Sequence, residues 1–154
     1  MINVNVFSEE KAWSKRLKNK NLFFKKVCKA FPKKYCFSNK KVSLSLLLSN
    51  NKNIKRLNNK FRGKNKPTDI LSFPLKTQIN SKFYLGDIII SYQFMNKPRT
   101  SDDLIFKKKV IKIFIHGFLH LIGYDHKTDN DYKKMYDQEV KIFNLIEDKI
   151  EKIN

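Results

Sequence analysis

Ile2, Val4 and Val6 alternate with polar neighbours over Met1 to Phe7, the period of a half-buried strand. Ser8 then offers an N-cap, and Glu9 and Glu10 fill a first turn where carboxylates favour the helix dipole. Trp13, Leu17, Phe24, Val27, Cys28 and Phe31 follow at helical spacing, which predicts one helix ended by Pro32. Val42, Leu44, Leu46 and Leu48 alternate as a second strand. Ile54, Leu57 and Phe61 recur every three or four residues and predict a short amphipathic helix. Gly63 and Pro67 bracket a loop with the basic tip Lys64-Asn65-Lys66. Asp69 to Phe73 and Leu85 to Ser91 read as two more strands, parted by a polar turn near Asn80-Ser81.

Ser101, Asp102 and Asp103 repeat the capping signal, and a long helix is expected from there to about Ile122. Its second half (Ile113, Phe114, Ile115, Phe118, Leu119, Leu121, Ile122) is apolar nearly all round, as a buried central helix requires. Gly123 stops it. A last amphipathic helix begins near Asp129 and carries Tyr132, Met135, Tyr136, Val140, Phe143 and Ile146. The expected fold is α/β (α+β-like): one domain over residues 1–154, with a small four-stranded mixed sheet flanked by about five helices.

Composition changes this picture little. The 154 residues are 41% hydrophobic, enough for one core, and no repeat or linker divides them. Basic residues outnumber acidic ones 33 to 14, a formal charge of +19 that would attract polyanions. Nearly all of that charge is Lys, and Asn, Ile and Phe are also frequent, the mark of an AT-rich genome. The charge therefore permits a nucleic-acid partner without establishing one. Cys28 and Cys36, with seven residues between them, read as reduced thiols with one or both buried. No basic region leads into an apolar one at the N-terminus, and no apolar run approaches the roughly 20 residues that span a bilayer. The expected location is the cytoplasm.

All three histidines fall in the window His116-Gly117-Phe118-Leu119-His120-Leu121-Ile122-Gly123-Tyr124-Asp125-His126. On a helix, His116 and His120 project from one face. Gly123 admits the left-handed conformation that turns the chain, which would swing His126 back toward the first two rings. This H-x-x-x-H-x-x-G-x-x-H spacing is that of three-histidine zinc hydrolases. Histidines on apolar helices are commonly packed and hydrogen-bonded without a metal. Three grouped on a buried helix and the turn just beyond it would each need a partner, and a shared divalent ion supplies all three. No fourth His exists, and the cysteines lie on another element, so water is the expected fourth ligand and catalysis the expected use. Asp125 is expected to orient one of the imidazoles. Metallopeptidases with this spacing place a general-base Glu directly after the first His. Here that position is Gly117.

The second informative stretch runs Leu57-Asn58-Asn59-Lys60-Phe61-Arg62-Gly63-Lys64-Asn65-Lys66-Pro67-Thr68-Asp69-Ile70-Leu71-Ser72-Phe73-Pro74. Arg62 is one of only four arginines, so Lys-favouring drift does not account for it, and a guanidinium is suited to gripping phosphate. With Leu85-Gly86-Asp87-Ile88-Ile89-Ile90-Ser91 and the histidine window, this stretch resembles the YbeY family of bacterial endoribonucleases. Its motifs look like L-N-x-x-[FY]-R-G-K-x-x-P-T-D-[VI]-L-S-F-P, L-G-D-I-x-I-S and H-G-x-L-H-L-x-G-Y-D-H.

The resemblance spans the chain from Val42 to the final helix. It implies a zinc-dependent endoribonuclease acting on single strands, which matures the 3′ end of small-subunit ribosomal RNA and serves ribosome quality control. It implies one Zn²⁺ per chain on His116, His120 and His126, with Arg62 and His116 catalytic. Lys64 and Lys66 would hold the RNA backbone beside Arg62. The segment Tyr92 to Arg99 departs from the family pattern, and Lys133-Lys134 stands where relatives are often acidic. Two rival readings remain: a zinc peptidase or amidase, and a non-catalytic RNA- or ribosome-binding protein. Three imidazoles and water also suit nickel or cobalt.

Overall fold

The chain was analysed as a computed structural model that describes residues 1–35, 40–79 and 82–153. Its elements are β1 (Ile2–Ser8), α1 (Ala12–Arg16), α2 (Lys20–Lys29), β2 (Lys41–Ser49), α3 (Asn51–Arg62), β3 (Ile70–Ile79), β4 (Lys82–Ser91), α4 (Tyr92–Met95), α5 (Asp103–Leu121) and α6 (Asp129–Glu147). Short 3₁₀ turns lie at Lys33–Tyr35 and Ile150–Lys152. The strands form one mixed sheet in the order β1-β2-β4-β3, with β1 and β4 parallel to β2 and β3 antiparallel to β4. This is the expected α/β fold.

Strand alternation divides the core between the two faces of the sheet. Leu44, Leu46, Leu48, Ile88 and Ile90 point into the main core with Phe114 and Phe118 of α5 and Phe24 of α2. Their neighbours Ile89 and Leu71 point the other way and pack with Ile54 of α3 in a smaller cluster. Buried aromatic edges knit the main core, among them Phe24–Phe114 and Phe31–Phe118 with centroids 5.0 Å and 4.9 Å apart. Removing Phe118 would cost about 3–5 kcal/mol.

Three expectations need correction. The single helix from Ser8 to Phe31 is two helices. Ser8 ends β1, and Lys11, not Ser8, precedes α1. The two carboxylates expected to favour the helix dipole serve the end of β2 instead: Glu9 accepts Ser49 Oγ, and Glu10 accepts Asn50 Nδ2 at 3.3 Å as well as the Ala12 N–H at 3.2 Å. Leu17 is extended, and Asn19 starts α2 afresh by accepting the Leu22 N–H at 3.0 Å. Next, β3 and β4 run beyond their expected bounds, to Ile79 and back to Lys82: Phe83 packs against the main core, but Leu75, Thr77 and Gln78 on β3 are exposed and mark no buried face. The turn expected at Asn80-Ser81 lies outside the described residues, as does Cys36, while Cys28 is buried. Finally, α6 buries Met135, Ile142, Phe143 and Ile146, but Tyr132, Tyr136 and Val140 are exposed.

Candidate metal centre and its cavity

α5 starts where Asp102 accepts the N–H groups of Leu104 (2.8 Å) and Ile105 (3.4 Å), and it lies against β3 and β4. Gly117 makes that approach possible: a Cβ there would lie 2.6 Å from Ile70 Cδ1 and 3.1 Å from Ser72 Oγ. The end of α5 is closed by Tyr124 N–H to Leu119 O (3.0 Å) and Gly123 N–H to His120 O (3.1 Å), with Gly123 at φ 107°. That pair of bonds is the Schellman arrangement, and glycine admits its positive φ without a side-chain clash. The reversed chain returns His126 to the first two histidines, as the spacing predicts.

The three rings converge. Their centroids are 4.7 Å (His116–His120), 4.9 Å (His120–His126) and 5.6 Å (His116–His126) apart, and one nitrogen from each falls within 4.8 Å of the others. His116 and His120 are half-buried and His126 is exposed.

Hydrogen bonding fixes two of the tautomers. The Tyr124 carbonyl can only accept, so His120 Nδ1–H donates to it at 3.0 Å. Glu139 of α6, as carboxylate, accepts from His116 Nδ1–H at 2.5 Å. In the neutral rings Nε2 is then the unprotonated nitrogen and faces inward, and those two atoms lie 3.1 Å apart. Two lone pairs at that distance repel unless a cation or proton lies between them. Tetrahedral zinc with bonds of 2.0–2.1 Å would hold two nitrogens about 3.3 Å apart. The donor set fits a divalent ion.

A proton shared between the rings is the other way to relieve the repulsion. It is opposed at His120, whose basicity is lowered by burial first and then by the neighbouring His116 and His126. Asp125, expected to orient a ring, instead accepts the His126 N–H at 2.8 Å, which holds its own carboxyl below the usual range. It hydrogen-bonds none of the three imidazoles; Glu139 and the Tyr124 carbonyl do the orienting.

A cavity of about 590 Å³ opens over the rings and includes Arg62, Thr68, Asp69, Ser72, Asp125 and all three histidines in its lining. Arg62 is the last residue of α3, and buried Asn58 on that helix donates to Lys66 O at 2.8 Å, pinning the loop beyond. The structure thus brings Arg62 and the histidines, 54 residues apart at their closest, to one cavity. Lys64 and Lys66 are exposed and do not line it. Sequence reasoning missed Glu139, whose signal was an acid on the packed side of an amphipathic helix. It also missed Asp69 and Ser72 as lining residues; Ser72 Oγ is buried without a hydrogen-bond partner among the described residues.

The family profile described as Endoribonuclease YbeY matches residues 5–147. The chain belongs to the endoribonuclease YbeY family. It is 56% identical over 152 residues to an endoribonuclease YbeY of Pelagibacter ubique, covering 97% of this chain and 99% of that protein. A second YbeY relative, from Sulfurihydrogenibium, is 38% identical over 83% of this chain and 90% of its own length. A solution structure of a Thermotoga maritima protein matches with a TM-score of 0.52 at 28% identity, over 93% of this chain and 88% of that one. The matched YbeY segment includes every residue that lines the histidine cavity.

Proposed function

We propose that the chain is a metal-dependent endoribonuclease of ribosomal RNA processing, cutting single strands near the 3′ end of small-subunit RNA and serving ribosome quality control in the cytoplasm. The observation that carries it is the meeting of three convergent imidazoles and an arginine in one open cavity, in a chain of the YbeY family. His116, His120 and His126 would hold one ion, with zinc the first candidate. Such an ion supplies a Lewis acid for a phosphate oxygen or an activated water.

The chain's own groups supply the rest. Glu139 and the Tyr124 carbonyl hold two imidazoles in the tautomer that leaves Nε2 available. Arg62, which lines the same cavity, would bind the scissile phosphate and neutralise charge that grows as the phosphodiester breaks. Lys64 and Lys66, exposed beyond the rim, would meet flanking phosphates as screened surface charges. Asp125 would position His126 through its backbone rather than its ring. RNA fits the charge of +19 better than DNA only through the family likeness. Among the described residues no helix is long and apolar enough to cross a membrane.

The peptidase alternative loses ground at Gly117. That position packs against Ile70, Ser72 and Ile88, so a catalytic carboxylate on it would have to displace the helix–sheet contact. The deciding experiment is cleavage of a small-subunit RNA precursor by metal-loaded wild type, by chelated protein and by His120→Ala. Cleavage should vanish in the last two and return when metal is restored to the wild type. Undiminished cutting by repurified His120→Ala would defeat the reading, and RNA binding without cutting would favour a binding protein.

A further inference from the structure

Beyond His116, on the α6 side, a second hollow is lined by Lys97, Lys109 and Lys112 together with Asp69, His116 and Glu139. Asp69 and His116 also line the histidine cavity, so the two spaces adjoin at those residues. Lys112 and Glu139 in turn line a third hollow, between α5 and α6, to which Tyr136 and Phe143 contribute. A trough thus leads from the histidines along the α5–α6 seam.

Its chemistry is uneven in a telling way. Lysines come from α5 and the segment before it: Lys109 Nζ donates to the Lys97 carbonyl, and Lys112 Nζ sits 4.7 Å over the Phe143 ring. The three carboxylates that line these hollows each have a partner. Glu139 accepts from His116, Glu147 pairs with Lys108 at 3.0 Å, and Asp69 accepts the Ile70 N–H at 2.8 Å. Aromatic rings come from α6: Tyr136 lines the third hollow, and Tyr132 stands one turn before it on the same helix, outside that lining. Tyr132 and Tyr136, one helical turn apart, are 58% and 51% exposed, and their planes lie within 9° of parallel with centroids 6.2 Å apart. Exposed parallel rings beside cations are what unpaired bases and their phosphates bind.

We propose that this trough seats the single-stranded RNA flanking the scissile phosphate, with bases stacked on Tyr136 and Tyr132 and phosphates on Lys97, Lys109 and Lys112. The proposal rests on the endoribonuclease reading and deepens it, since a duplex keeps its base faces hidden and cannot use the rings. An acidic peptide would use the lysines but gain nothing from the parallel tyrosines.

The test measures fluorescence anisotropy of 2′-O-methyl oligoadenylates of 4 and 12 nucleotides with the full-length, metal-loaded chain. The wild type should bind the 12-mer more tightly than the 4-mer. Tyr132→Ala/Tyr136→Ala should weaken the 12-mer about 10-fold or more, within the range for lost base stacking. Tyr132→Phe/Tyr136→Phe, which keeps both rings, should stay within about twofold of wild type. Lys109→Gln/Lys112→Gln should make the salt dependence shallower by about 0.7 per charge removed. Metal content and the thermal midpoint of each variant establish that it is folded, and the Phe and Gln variants carry the test if the Ala variant is not.

Unchanged 12-mer binding by a folded Ala variant would overturn the proposal. So would Phe variants as weak as the Ala variant, an unchanged salt slope in the Gln variant, or displacement of the 12-mer by oligoglutamate as readily as by RNA. Failures of the two readings are separable. A wild type that binds the 12-mer through the tyrosines yet never cuts RNA sinks the nuclease and leaves the trough. One that cuts RNA while the Ala variant binds normally sinks the trough alone.

Discussion

The two walls of the histidine cavity are built on opposite terms. On one wall, His116 and His120 are half-buried, their Nδ1 atoms are spoken for, and a Schellman turn aims His126 at them. On the other, Arg62 ends α3 with its side chain exposed, and Lys64 and Lys66 stand further out in a loop secured from beneath by Asn58. The histidine wall is preorganised by folding, so it can offer three lone pairs to a small ion before any substrate arrives. The basic wall is solvated, which suits a long polyanion. Preorganisation makes single changes costly, whereas solvation makes them mild.

Breaking the histidine wall should have the largest effect. His116→Ala or His120→Ala leaves two ligands, and RNA cleavage should fall more than about 10³-fold together with metal content. Both are read on the same preparation, by elemental analysis and a cleavage assay. Arg62→Ala should come next, losing about 10²–10³ in kcat as a single electrostatic stabiliser does, with metal content unchanged. That separation of metal from rate distinguishes the two walls.

Glu139→Gln sharpens the comparison from within the first wall. The amide keeps the volume but loses the carboxylate that sets the His116 tautomer, so metal affinity should drop about 10–100-fold by competition with a chelator. Excess metal should restore most of the cleavage. The mildest change is Lys64→Gln with Lys66→Gln. KM should rise at physiological salt with kcat preserved, and the log–log salt slope of RNA binding should flatten by about 0.7 for each lysine. An equal effect of these lysines and Arg62 on kcat would mean that the basic wall is not graded from cavity to rim.

How far each wall was legible follows from the range of its contacts. The ligand set lies within eleven residues of sequence, so helical period and one glycine were enough to read it. Glu139 is 23 residues from His116, and its role depends on α6 packing across α5, which no local pattern records. The same limit explains Asp125, which is next to a ligand in sequence but bonds its backbone instead of a ring. In the fold, period identified α6 correctly but put Tyr132, Tyr136 and Val140 on the buried face, because they sit on the shoulder of the stripe. The helix expected from Ser8 failed because Glu9 and Glu10 are held by Ser49 and Asn50, a long-range competition invisible to capping rules. β2 and α5 were read almost to the residue, and α3 was read by its period alone, with Phe61 exposed.

The central claim is that the chain closes around an ion with three imidazoles and leaves room for a reacting oxygen. X-ray absorption at the zinc edge, on protein loaded with one equivalent, tests it most directly. The account predicts three histidine nitrogens at about 2.0–2.1 Å with one light, exchangeable oxygen completing the shell, perturbed when single-stranded RNA is added. A shell of four protein donors indifferent to RNA, or no zinc retained at all, would contradict it.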